Sequence, residues 1–489
     1  MNGAAIDRLL ISRTLILWLI LLWPLVLFGG PAVFPDTASY YKGGAVAVDI
    51  VTEKLVPAHA PAVKPATPEQ SAQPAGGTEG ADNTRLVRDV KGVRSVSYSV
   101  FSYVFSGPGA SLIPLAAMQG LFLAICLAAT FNAATDRKPR HFWTALLVLA
   151  FATTLAPYIC YAMPDVFAGA TILLLALIGA ESRRLSTPLL LLLVVMAAFA
   201  ITTHPSHIPL AAAMVAMTAL LTVARAIRGD RAAVTTLVRM AGLLAFAMVA
   251  VIATGIIGFG EASIAPKRYP FALARSLEIP PARAHLLTMC KSQPLQVCKL
   301  YTDQTLPTSS YDFLWGEHGI ENIATTQQMQ ALRDEEPAIV WDMLRSAPFR
   351  IGWIATEDVL RQLATFDLGG LTFGQRVQES SPVTIEFVKA HAPWRFPLRL
   401  VDGLSIASVL LSLVAFALWL RRSNRNAALA TMLIGGVVAN AAICSMLSTV
   451  ASRYQARVVW LLPLAALLLW AGRRGSRLAL PSPGASRRR

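Results

Sequence analysis

The chain is poor in charge. Only 15% of its 489 residues are Asp, Glu, Lys or Arg, and 28 acids stand against 43 bases. A soluble protein of this length would carry more charge and apolar runs shorter than a bilayer span, so a soluble globular class is excluded. Five cysteines are too few for a disulfide scaffold. No Walker loop is present, which argues against ATP-driven transport by this chain alone. Nucleophile elbows and zinc-protease helices are also missing. Charged residues hardly occur inside the apolar runs, where ion-coupled transporters place some, so a secondary transporter is disfavoured. There is no internal repeat of fixed period.

What the chain has is hydrophobic length. Hydrophobic residues make up 55% of it, and a membrane-crossing helix needs roughly 20 apolar residues in a row. The runs 14–33, 111–131, 142–160, 165–181, 188–203, 208–224, 239–259, 401–420, 427–448 and 457–472 predict about ten spans and an all-α polytopic membrane protein. No small-residue cleavage site follows the first run, which reads as a retained anchor.

The formal charge of +15 has a topological explanation. With these spans both termini fall on one side. That side collects Arg137, Lys138, Arg140, Arg183, Arg184, Arg421, Arg422 and Arg425 together with the basic tails, against only Asp7, Asp136, Glu181 and Asp230. The positive-inside rule accounts for this excess and makes the side cytoplasmic. A nucleic-acid partner is not implied.

Five regions result. Residues 1–33 form a tail and the first span. Residues 34–110 form an outer loop whose middle, 57–83, is rich in Pro, Ala, Gly and Glu and reads as a flexible insert. On either side of it, 37–55 and 85–106 predict juxtamembrane helices. The second carries Arg85, Arg88, Lys91 and Arg94 among aromatic residues, as a helix lying on lipid head groups would. Spans two to seven fill 111–259. Residues 260–400 predict a small outer domain with amphipathic helices at Pro337–Met343 and Phe349–Leu363 and with Trp315, Trp341 and Trp394. Residues 401–489 hold three more spans and a basic tail.

Several residues at span mouths could carry chemistry. Asp36 and Asp165 each follow a proline where a helix leaves the apolar region. A carboxylate there could act as a general base on an acceptor or cap a helix amino end. Two carboxylates could also share a divalent cation with waters, though no cofactor is implied. Tyr40 and Tyr41 could stack on a sugar ring. His204 and His207 could donate to a phosphate oxygen or satisfy backbone groups at a helix end. Arg453 and Arg457 break the positive-inside trend, and their spacing of four shares a helical face. They suit phosphate binding or head-group anchoring. Cys290 and Cys298 lie in the outer loop, where oxidising conditions favour a disulfide. With only His285 nearby they are too few for zinc.

These phrases together resemble the GT-C superfamily of integral-membrane glycosyltransferases, which take sugars from polyprenyl-phosphate or polyprenyl-diphosphate carriers. The likeness rests on an acid and a nearby aromatic after the first span (Asp36, Tyr40), an acid opening the fourth span in Met163-Pro164-Asp165-Val166, and Ser452-Arg453-Tyr454 before a late span. The chain departs in three places. A single acid followed by Thr37 stands where an acidic pair is usual, histidines 204 and 207 stand where many relatives have Lys, and the soluble part precedes span eight. The resemblance implies a lipid-linked sugar donor, contact with membrane lipids, and a glycan, lipid or protein acceptor at the periplasmic face of a bacterial inner membrane. Asp36 and Asp165 would be catalytic, and Tyr40, Tyr41, His204, His207, Arg453, Tyr454 and Arg457 would bind substrate. A polysaccharide polymerase or ligase, or a non-enzymatic assembly or export subunit, are the other readings.

Overall fold

The computed structural model of the protein describes residues 3–55, 94–107, 109–135, 139–227, 229–230, 233–378, 380, 383–388, 395–419 and 424–472. The insert 57–83, the bases Arg85, Arg88, Lys91, Arg137, Lys138, Arg421 and Arg422, Trp394 and the basic carboxyl-terminal tail lie outside these residues.

Among the described residues, eight helices are long and apolar enough to cross a membrane: Arg8–Phe28, Leu112–Ala134, Val166–Arg184, His207–Ala226, Ala233–Phe259, Arg395–Leu418, Ala427–Leu447 and Ser452–Ala471. The chain is therefore a mainly helical, multi-pass membrane protein. The expected span at 188–203 is the apolar helix Thr187–Thr202, which at 16 residues is shorter than the eight.

The expected span 142–160 is broken into Pro139–Phe151 and Leu155–Ile159. Two threonines explain the break. The Thr153 hydroxyl bonds back to the Leu149 carbonyl and accepts from Leu155 N, which competes with the helical ladder. The Thr154 hydroxyl donates to the carbonyl of Ala456, some 300 residues along the chain, at 2.5 Å. The last span is bent as well, with Ser452–Ala456 and Leu461–Ala471 separated by turns.

The first span stops at Phe28, five residues earlier than its apolar run, because Gly29 takes a left-handed conformation (φ 72°). The freed chain forms a strand, and the fold is not purely helical. Strand β1 (Ala32–Val33) pairs antiparallel with β2 (Thr372–Gln378), with Ala32 opposite Phe373, and β2 pairs antiparallel with β3 (Thr384–Phe387).

The loop helices meet closely. Pro35–Leu55 packs along Val96–Phe105, and a Cβ on Gly44 would lie 2.0 Å from the Ser99 carbonyl oxygen, so only glycine fits this contact. Val96–Phe105 buries Tyr98, Ser99 and Ser102 against its neighbours. It is the carboxyl-terminal part of the helix expected at 85–106, whose bases Arg85, Arg88 and Lys91 lie outside the described residues.

The domain expected on the outer side, and called the outer domain for that reason, has its own core, including Leu273, Leu286, Phe313, Met329 and Ile351. Its long helix runs Thr326–Ser346, with a capping box at Thr325 and Gln328. Pro337 therefore sits inside a helix rather than opening one, as the sequence had suggested. The next helix, Pro348–Ala364, matches the amphipathic segment expected at 349–363. A disulfide joins Cys290 and Cys298.

Candidate functional site

Two short extended segments place the acids. Ala32 N–H donates to the Cys160 carbonyl at 2.7 Å, and Ala162 N–H donates to the Ala32 carbonyl at 2.8 Å. Thr37, wholly buried, completes the seam: its hydroxyl donates to the Ala162 carbonyl (3.0 Å) and accepts from Phe34 N (3.1 Å). A carboxylate at position 37 could only accept and would face a carbonyl oxygen, which accounts for a threonine, not a second acid, directly after Asp36. The seam brings Asp36 and Asp165, far apart in number, to one hollow.

That hollow is a cavity of about 1050 Å³. Asp36, Tyr40, Asp165, His204, Arg453, Tyr454 and Arg457 line it from the membrane side. Arg94 joins them, and Arg268, Phe271, Tyr311 and Trp315 line it from the outer domain. Two of the residues expected here are elsewhere. Tyr41 packs against Tyr103, with ring centroids 5.2 Å apart, in a separate apolar cluster. Next-door residues on a helix point about 100° apart, so Tyr40 and Tyr41 cannot both face the cavity. His207 is fully buried outside the lining, and its Nδ1–H donates to the Ala200 carbonyl at 2.8 Å. It serves the helix end.

Asp36 sits in the first turn of Pro35–Leu55 and accepts from Arg94 Nη2 at 2.6 Å. The sequence reading missed this partner. Arg94 ends a basic run and was assigned with it to head groups, yet the Ser95 hydroxyl, which donates to the Thr202 carbonyl at 2.7 Å, ties this turn to the cavity rim.

Asp165 makes no side-chain cap for Val166–Glu181, so the capping alternative is excluded. Its Oδ1 lies 3.4 Å from Arg457 Nη1. Arg457 Nη2 reaches Asn440 Oδ1 and Cys444 Sγ, each at 3.1 Å. The Arg453 guanidinium lies over the Phe34 ring at 4.4 Å and the Tyr454 ring at 5.0 Å. Among the described residues no carboxylate pairs with it and its Nη1 has no hydrogen-bond partner. The Tyr454 hydroxyl bonds Ser448 Oγ at 3.0 Å.

Backbone clamps hold Arg453 in place. The Gln362 amide donates to the Ala451 carbonyl and accepts from Ala451 N, both at 2.9 Å, and Tyr158 OH donates to the Arg453 carbonyl at 3.3 Å. Gln362 belongs to the outer domain and is fully buried, so that domain helps to orient Arg453, whose Nη2 donates to the Tyr454 hydroxyl at 3.4 Å.

Burial pushes the Tyr40 phenol well above its ordinary range, and the carboxylates of Asp36 and Asp165 add to the rise. The group stays a neutral donor. His204 is held well below the usual imidazole range by burial and then by the neighbouring His207, Arg457, Arg453 and Arg94. Its Nδ1 accepts from Ser206 N at 3.2 Å, so the neutral ring carries its proton on Nε2. It can donate a hydrogen bond without adding charge.

Among the described residues no group of three or more His, Cys, Asp and Glu is placed to hold a metal ion. Asp36 and Asp165 each face an arginine instead. The surplus of arginine in the lining suits an anion, while the carboxylates and neutral donors beside it suit hydroxyl groups. No protein-family model, curated protein or solved structure matches the chain.

Proposed function

We propose that the protein is a membrane glycosyltransferase that moves a sugar from a polyprenyl-phosphate donor to an acceptor at the outer face of a bacterial inner membrane. In this reading ten segments cross the bilayer, both termini are cytoplasmic, and the cavity opens to the outside. The observation that carries it is the meeting in one cavity of Asp36, Asp165 and Arg453, an arginine with no carboxylate partner among the described residues.

The donor phosphate would lie on Arg453, with His204 Nε2–H as a second donor. As the bond between the anomeric carbon and the phosphate oxygen breaks, the electron pair stays on that oxygen, where a fixed guanidinium stabilises it. The acceptor hydroxyl attacks the opposite face of the sugar and its proton passes to Asp36, giving inversion. Asp165, held by Arg457, would position the sugar or acceptor. The outer domain would cover the cavity and exclude water, which competes as acceptor.

The test is Asp36→Asn, assayed for glycosyl transfer in membranes at matched expression. The expected loss is about 10²–10⁴-fold, the usual contribution of a general base. Activity within about twofold of the parent would remove the base role. An unchanged envelope phenotype in both Asp36→Asn and Arg453→Ala would favour a non-enzymatic subunit.

A further inference from the structure

The helix Pro348–Ala364 lines no part of the cavity, and only one of its faces is occupied. Ile351, Asp358 and Gln362 are buried; Asp358 accepts from Arg275 and Gln362 grips Ala451. On the opposite face Phe349, Trp353 and Leu360 are 93%, 72% and 62% exposed. Their spacing, i, i+4 and i+11, makes one stripe along the helix. Arg350 and Arg361 lie along one side of the stripe and are exposed, Arg361 with Glu357 Oε1 at 2.5 Å. On the preceding helix Trp341 is also exposed, with the Arg345 guanidinium 5.6 Å from its ring centre.

Contacts set the height of this helix. Gln362 bonds Ala451 at the start of the span Ser452–Ala471. Arg275, which holds Asp358, donates to the Ser445 carbonyl near the end of Ala427–Leu447 (2.7 Å). Leu368 N donates to Asp402 within Arg395–Leu418 (2.9 Å). The carboxyl end of the helix is therefore level with the ends of two spans, and the chain just beyond it meets the first turns of a third. Phe396 and Leu400, on the last of these, are exposed apolar residues at the same level. From Leu360 to Phe349 the stripe covers about 16 Å at 1.5 Å per residue.

We propose that Pro348–Ala364 lies on the bilayer, with Phe349, Trp353 and Leu360 among the acyl chains and Arg350 and Arg361 at the head groups, so that the outer domain is seated on lipid. An aromatic and aliphatic stripe beside arginines, level with the span ends and continuous with a lipid-facing span, is what an interfacial helix requires. This inference does not depend on the enzymatic reading.

A nitroxide on Trp353→Cys in the full chain, in nanodiscs of phosphatidylethanolamine and phosphatidylglycerol, tests it. Cys126, Cys160 and Cys444 are buried and the other two cysteines are bridged, so the label goes to the new site. Collisions with oxygen should exceed those with a nickel chelate at position 353, and the order should reverse at the exposed control Lys291→Cys. A nickel-dominated signal at 353 overturns the proposal, as does exclusion of both reagents, which is the mark of a protein partner or second copy. As an independent measure, brominated acyl chains should quench the parent's tryptophan fluorescence more than that of Trp353→Phe. Equal quenching also overturns it.

Discussion

Two corners of the cavity each pair an aspartate with an arginine, and they differ in every other respect. At one, Asp165 and Arg457 are 6% and 2% exposed, and the arginine is further tied to Asn440 and Cys444. At the other, Asp36 and Arg94 are 22% and 26% exposed, and Asp36 makes its contact at 2.6 Å in the first turn of a loop helix. Charges removed from water must stay matched, because an orphaned one bears the full desolvation cost. A pair left about a quarter exposed loses less when it opens, since water can reach the remaining partner. The first corner is thus fixed by burial, and the second is the one that water can reach. In the proposed reaction, identical residue types would serve as scaffold in one place and as exchangeable chemistry in the other.

The largest effect should come from removing the arginine at the fixed corner. Arg457→Ala leaves the buried Asp165 unmatched and should cost about 3–5 kcal/mol. Arg94→Ala should cost about 1 kcal/mol or less. Thermal unfolding of both variants in detergent measures the contrast. Equal losses would erase the distinction between the corners. Next in size is the seam between them. Thr37→Val removes one hydroxyl and leaves the buried Ala162 carbonyl and Phe34 N–H each short of a partner, at about 1–3 kcal/mol. The same measurement applies, and Thr37→Ser, which keeps the hydroxyl, should recover most of the loss.

Much of this architecture is legible in the residues. The apolar runs mark the membrane helices, the expected outer location of Cys290 and Cys298 points to their bridge, the place of Asp36 and Asp165 at span mouths draws attention to them, and the break in the charge rule does so for Arg453 and Arg457. What stays hidden is set by contacts between residues far apart in number. Nothing local announces that Thr154 will bond Ala456 and break a span, or that Ala32 will pair with Phe373. Arg94 is one of several bases in a run, and only the approach of Val96–Phe105 to Pro35–Leu55 selects it for Asp36. His204 and His207 look equivalent as letters. One faces the cavity and the other is spent on the Ala200 carbonyl, because a turn separates them.

The smallest expected effect concerns pH and comes from the histidine between the two corners. His204 is kept neutral in the folded protein, below its ordinary value of 6.5, by burial and then by His207 and three arginines. The unfolded chain takes up a proton at this residue near pH 6.5, and the folded chain does so only at lower pH. Acid therefore favours unfolding: the contribution of His204 to stability is complete above pH 6.5 and declines as pH falls below it. The apparent melting temperature should drop between pH 7 and pH 5, and His204→Gln, which keeps an amide donor but cannot titrate, should flatten that drop. Because Arg453 and Arg457 are among the charges that oppose protonation, Arg457→Ala should weaken the pH dependence as well as the fold, whereas Thr37→Val should lower stability by the same amount at both pH values. A pH slope unchanged in His204→Gln would assign the acid sensitivity to other groups and leave His204 as a neutral hydrogen-bond donor at the cavity wall.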